Sequence, residues 1–184
     1  MKITETFIPG LLVIDPLVFS DERGCFFESY NKTEYFNNGF DTEFIQDNES
    51  KSVKGVVRGL HYQLAPFAQS KLVRVVHGKV FDIALDLRKG SPTYAKWFGV
   101  ELSGTNKKQF FIPRGFAHGF SVLSKTAIFS YKCDNIYNKE CERSINCNDP
   151  YLRIDWKINP SQQIISEKDK QAPLFKNAEM NFIF

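Results

Sequence analysis

Short β-like runs separated by turn residues recur along the whole chain, and no other feature constrains the fold as much. They cover residues 11–13, 25–30, 56–64, 71–77, 79–87, 97–102, 108–112, 119–123 and 127–133. That rhythm predicts a sandwich or barrel. The clearest alternation sets Phe81, Ile83, Leu85 and Leu87 against Asp82, Ala84, Asp86 and Arg88, the period-2 pattern of a strand with one face in the core. His77-Gly78-Lys79 before it supplies a hairpin turn. Helix is scarce: Asn31 caps a short helix through Glu34, Tyr35 and Phe36 that Asn38-Gly39 closes, and Ser166-Glu167-Lys168-Asp169 forms another capped turn. The expected fold is all-β, an antiparallel double-sheet jelly roll with short peripheral helices. With no repeat, low-complexity tract or linker, residues 1–184 are expected to form a single domain.

The net charge of +3 comes from interspersed Lys and Arg. Without a block of like charge, a nucleic acid partner is not expected and a small anionic ligand fits better. The first ten residues lack a basic segment followed by an apolar stretch, and no apolar run reaches membrane-spanning length, so the expected location is cytoplasmic. Cys25, Cys133, Cys141 and Cys147 lack Cys-x-x-Cys spacing and match no common zinc pattern; in the cytoplasm they stay reduced. A His-x-His metal pair is broken because Gln63 follows His61 at that spacing, and no glycine-rich dinucleotide fingerprint follows a strand. Activity without metal or nicotinamide is the expectation.

Only three histidines are present. His61 lies in Arg58-Gly59-Leu60-His61-Tyr62-Gln63, where a cation and a base flank a glycine that permits close approach. The competing reading is a half-buried strand histidine bonded to a neighbour. Arg58 and His61 are an odd number of residues apart and fall on opposite faces of a regular strand; if both face a ligand, Gly59 marks a bulge. His118 lies in Pro113-Arg114-Gly115-Phe116-Ala117-His118-Gly119-Phe120 and either points from a turn into a barrel mouth or satisfies turn carbonyls. His77, beside a turn glycine, reads as a surface residue. In Asp21-Glu22-Arg23-Gly24-Cys25-Phe26-Phe27-Glu28, an arginine, aromatics and an acid suit a nucleotide, or form a charged turn leading into a core strand.

Taken in order, DERGCFFESY, FIQDNES, VVRGLHYQ, AQSKLVRVVHGKVFDIALDLRKGSPTY, FFIPRGFAHGFSVL, YKCDNIY and SEKD resemble the dTDP-4-keto-6-deoxyglucose 3,5-epimerases, from near residue 10 to near residue 170. The resemblance implies a metal-free, cofactor-free cupin-type jelly roll that forms homodimers and acts on a dTDP-sugar. It also implies roles: His61 as general base, Asp169 as the carboxylate that orients it, Tyr131 as the acid on the opposite face of the sugar, and Lys71 as the cation at the enolate oxygen. Arg58 and His118 are implied around the sugar and diphosphate. Gln46, Asn48, Arg23, Phe26 and Glu28 are implied at the nucleotide, the last three from the partner subunit. Where close relatives usually carry a Gly-Gly pair followed by a Trp before the Asp-Pro, the chain reads Arg143-Ser144-Ile145-Asn146-Cys147-Asn148-Asp149-Pro150, and where they usually have Trp-Pro it has Trp156-Lys157. None of these is an implied catalytic position, so the departures are expected to bear on a surface loop and on substrate tuning more than on the reaction.

The chemistry suits those residue types. Hydrogens α to a ketone are removed by a positioned base once the enolate oxygen is stabilised, and histidine has the right basicity near neutrality. A lysine supplies the electrostatic stabilisation. Inversion requires a donor on the other face, which a tyrosine can be. Rival readings are an epimerase of C3 alone or C5 alone on a related sugar, a non-catalytic sugar-nucleotide-binding barrel, and a metal-dependent cupin.

Overall fold

In the computed structural model, which describes residues 1–184, two antiparallel sheets face each other across an apolar layer. The larger runs in the order β1 (Lys2–Glu5), β2 (Leu12–Asp15), β10 (Gln109–Ile112), β7 (Lys71–His77), β12 (Thr126–Cys133), β5 (Gln46–Val53). The smaller runs β13 (Glu142–Ser144), β6 (Val57–Gln63), β11 (Phe116–Val122), β8 (Lys79–Asp86), β9 (Trp97–Ser103). A separate hairpin pairs β3 (Phe19–Asp21) with β4 (Gly24–Phe26). This is a double-sheet jelly roll of the cupin type. No helix is long and apolar enough to cross a membrane.

Alternate residues of facing strands fill the layer between the sheets: Val73 and Val75 of β7, Val80 and Ala84 of β8, Phe116 and Phe120 of β11, Ala127 and Phe129 of β12. Each large apolar side chain buried there contributes about 1.5–3 kcal/mol.

The alternation over residues 81–88 leads one to expect a single buried face, and the structure corrects this. Both faces of β8 are covered. Ile83 and Leu85 pack against Leu152, Trp156, Phe175 and Phe182 of the C-terminal segment, while Asp82 and Asp86 are also fully buried. Nor is the departure from the family at residues 143–147 a surface loop. Ile145 and Cys147 are buried in this second layer, and the Trp156 indole donates to the Cys147 carbonyl at 2.8 Å. Lys157 sits on a tight turn with φ +57 and pairs with Asp155.

Both expected helices are present. α1 (Lys32–Asn37) is capped by Asn31, whose side chain accepts from the Glu34 N–H, and its Tyr35 packs with Phe40 on Ile14, Leu72 and Phe111 at the outer face of the larger sheet. α2 (Glu167–Lys170) is capped by Ser166, which accepts from the Asp169 N–H at 3.1 Å. The 25–30 run is shorter than expected and is not a core strand: β4 ends at Phe26, pairs only with β3, and has no layer packed over it. β5 has no counterpart among the runs read from the sequence.

Candidate active site

The expected bulge in β6 is present. On β11, His118 pairs with His61 and Phe120 with Arg58, so Gly119 alone faces both Gly59 and Leu60. Gly59 has φ +116, and a Cβ there would lie 2.6 Å from Gly119 Cα and 2.7 Å from the His118 carbonyl. The extra residue sends Leu60 into the outer apolar layer and turns Arg58 and His61 to the same inner face.

His61 Nε2 is 2.7 Å from Asp169 Oδ1. Burial alone would raise the Asp169 carboxyl, but the hydrogen bond and charge of His61, with the Gly59 and Ser166 contacts, hold it below the usual carboxylate range. Asp169 is therefore an acceptor, Nε2–H donates, and Nδ1 is left as the basic nitrogen. The Ser166 cap fixes α2, and α2 places the carboxylate.

Across the cleft, β7 and β12 present Lys71 and Tyr131. Lys71 Nζ lies 5.7 Å from the Tyr131 ring centroid and makes no hydrogen bond or ion pair with the protein, although no buried polar side-chain atom is left without a partner. The ammonium is thus directed at the cleft. Burial, then Cys133, push the Tyr131 phenol up, with Arg58 opposing, so it keeps its proton near neutrality. Asn48 stands opposite Tyr131 and Gln46 opposite Cys133, so both amides share the inner face. Gln46 donates to Asn48 at 3.0 Å. Arg58 Nε reaches Ser52 of the opposing sheet at 3.1 Å, and the stacked Phe120 and Phe129 rings, 4.3 Å apart, form an apolar floor.

His118 is not in a turn and satisfies no turn carbonyl. It lies within β11, 8% exposed, with Nε2 3.0 Å from both oxygens of Asp82. Asp82 escaped the sequence reading; its only signal is its phase with Val80 and Ala84, which face the inner layer. Three rim residues also escaped it. Glu142, opposite Gln63 on β13, accepts from Lys168 at 2.6 Å and from the half-exposed Tyr137 at 3.2 Å. Gln63, in the position that breaks a His-x-His pair, donates to the Ile136 carbonyl and accepts from the Asn138 N–H, holding the Tyr137 loop at the mouth.

Arg23, Phe26 and Glu28 do not join this cleft. Arg23 pairs with Asp21 on the exposed β3–β4 hairpin, Phe26 is 67% exposed, and Glu28 accepts from Asn31 beside α1 on the far side of the larger sheet. His77 is exposed, all four cysteines are free, and no three His, Cys, Asp or Glu side chains converge as metal ligands.

A jelly roll whose cleft sets an acid–base pair against a cation and a neutral phenol belongs to the class of cupin-type isomerases. Residues 5–177 match the family model of dTDP-4-dehydrorhamnose 3,5-epimerase, and the chain is a member of that family. It is 52% identical to the dTDP-4-dehydrorhamnose 3,5-epimerase of Shigella flexneri over 97% of this chain and 98% of that one. Among solved structures, the corresponding enzyme of Elizabethkingia anophelis NUHP1 is 54% identical with a TM-score of 0.91, covering 96% of this chain and 97% of that one. The dTDP-6-deoxy-D-glucose-3,5-epimerase of Legionella pneumophila Philadelphia 1, solved in complex with dTDP-4-keto-L-rhamnose, is 50% identical with a TM-score of 0.91, covering 96% and 93%.

Proposed function

We propose that the cleft epimerises dTDP-4-keto-6-deoxy-D-glucose at C3 and C5, giving dTDP-4-keto-L-rhamnose. The observation that carries this is the placing of the His61–Asp169 pair and Tyr131 on opposing sheets, with Lys71 beside Tyr131. His61 Nδ1 removes the proton at C3 or C5, the C–H electrons move to the C4 carbonyl oxygen, and Lys71 holds the resulting enolate oxygen. The enolate then takes a proton on its other face from the Tyr131 phenol, and solvent restores both groups to their starting states. Neither metal nor nicotinamide enters this scheme.

Arg58 and His118 serve the sugar and diphosphate, and Gln46 and Asn48 the nucleotide. Glu142, Lys168 and the exposed ring of Tyr137 extend that surface at the mouth. Arg23, Phe26 and Glu28 act from a second copy of the chain in a homodimer, which suits a hairpin that leaves Leu17, Phe19 and Phe26 each more than half exposed. Residues 1–184 act as one domain, in a cytoplasmic setting where the cysteines stay free.

Incubation with dTDP-4-keto-6-deoxy-D-glucose in deuterated water with EDTA, followed by mass spectrometry and NMR, tests this reading. Deuterium at both C3 and C5 with inversion is expected. Exchange at one carbon would make the protein a single-centre epimerase, none would sink the catalytic reading, and activity lost to EDTA but regained with a divalent ion would overturn metal independence.

A further inference from the structure

The buried partner of His118 raises a problem of charge. Lys71 must be an ammonium to stabilise an enolate, yet burial pushes it down from the ordinary lysine range, against the pull of Cys133, Asp82 and Glu142. The groups around it can be sorted by sign. From β12 come Tyr131 and Cys133, both pushed up by burial and so uncharged near neutrality. From β6 and β11 come Arg58, His61 and His118, none of them anionic. From β13 comes Glu142, already engaged by Lys168 at the rim. From β8 comes Asp82, fully buried and without an ion pair to any Lys or Arg. Burial raises its carboxyl, and the charge and hydrogen bond of His118, together with Lys71, pull it back.

We propose that Asp82 is a positioning residue whose carboxylate is the interior counter-charge keeping Lys71 protonated, held in place by the Nε2–H of a neutral His118. The geometry supports this, and the direction in which burial pushes His118 agrees with it. His118 Nε2 is equidistant, at 3.0 Å, from the two Asp82 oxygens, and the ring is pinned by stacking on Phe129 at 5.8 Å, so the carboxylate has a fixed donor. Burial favours neutral His118, so the charge of the Asp82 carboxylate is left to Lys71 rather than spent on the imidazole. His118 Nδ1 has no protein partner and is not among sequestered polar atoms, so it is accessible from the cleft as an acceptor for a sugar hydroxyl.

This inference rests on the reading of Lys71 as the enolate cation, and its test uses Asp82→Asn, which keeps the shape and removes the charge. The Lys71 Cε resonance, assigned by its loss in Lys71→Met, is titrated without substrate in the unaltered protein and the variant. Lys71 is expected to be protonated at neutral pH in the unaltered protein and to titrate at least about one unit lower in the variant. In turnover, Asp82→Asn is expected to lose about 10- to 100-fold near neutral pH with KM within about threefold, its alkaline limb shifted to lower pH so that activity partly recovers on acidification. An unshifted Lys71 titration, or an unshifted limb, overturns the proposal. If the variant does not fold, the unaltered protein still decides: a Lys71 already neutral at pH 7 overturns it. Absence of deuterium exchange would instead remove the catalytic reading and leave the titration result standing.

Discussion

His61 and His118 stand directly opposite each other on β6 and β11, yet each holds a different carboxylate: Asp169 on a capped helical turn, Asp82 in the middle of a sheet. In the first pair the imidazole is partly open to the cleft; in the second the carboxylate is fully buried and the imidazole nearly so, and the same two residue types have unlike surroundings.

The open pair is the proposed base. His61→Ala is expected to lower turnover roughly 10²- to 10⁴-fold, with solvent deuterium exchange falling in parallel. Asp169→Asn, which removes the charge and offers His61 a donor, is expected to cost roughly 10²-fold by favouring the wrong tautomer. Mass spectrometry of the exchanged sugar reads both. Retention of full exchange in His61→Ala would move the base elsewhere.

Tyr131 separates exchange from inversion. In Tyr131→Phe, His61 is still able to remove and return a proton on its own face, so deuterium enters the sugar while doubly inverted product becomes scarce. An unchanged yield of doubly inverted product would leave Tyr131 as a packing aromatic beside Phe129.

The exposed hairpin predicts complementation. Light scattering should report a dimer, and Arg23→Ala co-expressed with His61→Ala should regain activity that neither has alone, because a mixed dimer holds one site with both residues intact. No recovery would mean that Arg23 acts within its own chain or not at all.

Gly59 is needed for its backbone. Gly59→Ala puts a methyl against the Gly119 and His118 backbone at a φ of +116, and a loss of about 1–3 kcal/mol is expected in urea melts. Turnover should fall by more than stability explains, since the bulge sets the directions of both Arg58 and His61. A variant as stable and as active as the parent would refute this account of the bulge.

Alkaline stability follows from two buried acids. Burial, aided by Asp169, pushes the Cys147 thiol from 9.0 up to about 11, and burial pushes the Tyr62 phenol from 10.0 up to about 12. The folded protein keeps these protons where the unfolded chain gives them up. Their contribution is therefore full below pH 9.0 and lost as pH rises through about 11 and about 12. Urea midpoints should fall over that range, and Cys147→Ser should blunt its first part.

Strands such as β12 are legible in the sequence because one face is apolar and the other is not. β5 is not, because its inward residues Gln46, Asn48, Ser50 and Ser52 replace the core signature with a polar one; the strand hidden from periodicity is one that serves the cleft. Asp82 was hidden by the opposite effect. Alternation marks two faces without saying which is covered, and β8 is covered on both. The bulge was legible because Arg58 and His61 cannot otherwise share a face, whereas Glu142 and Lys168 meet across 26 residues with no local mark on either.

The carboxylate that directs His61 lies 108 residues downstream of it, on α2, after every strand of both sheets. During synthesis, a chain that has emerged only as far as Ser144 has all its strands and an undirected base. Chains ending before Asp169 lack the carboxylate that directs His61, together with much of the C-terminal layer that covers β8, so the order of the polypeptide itself withholds the complete site until synthesis is nearly done.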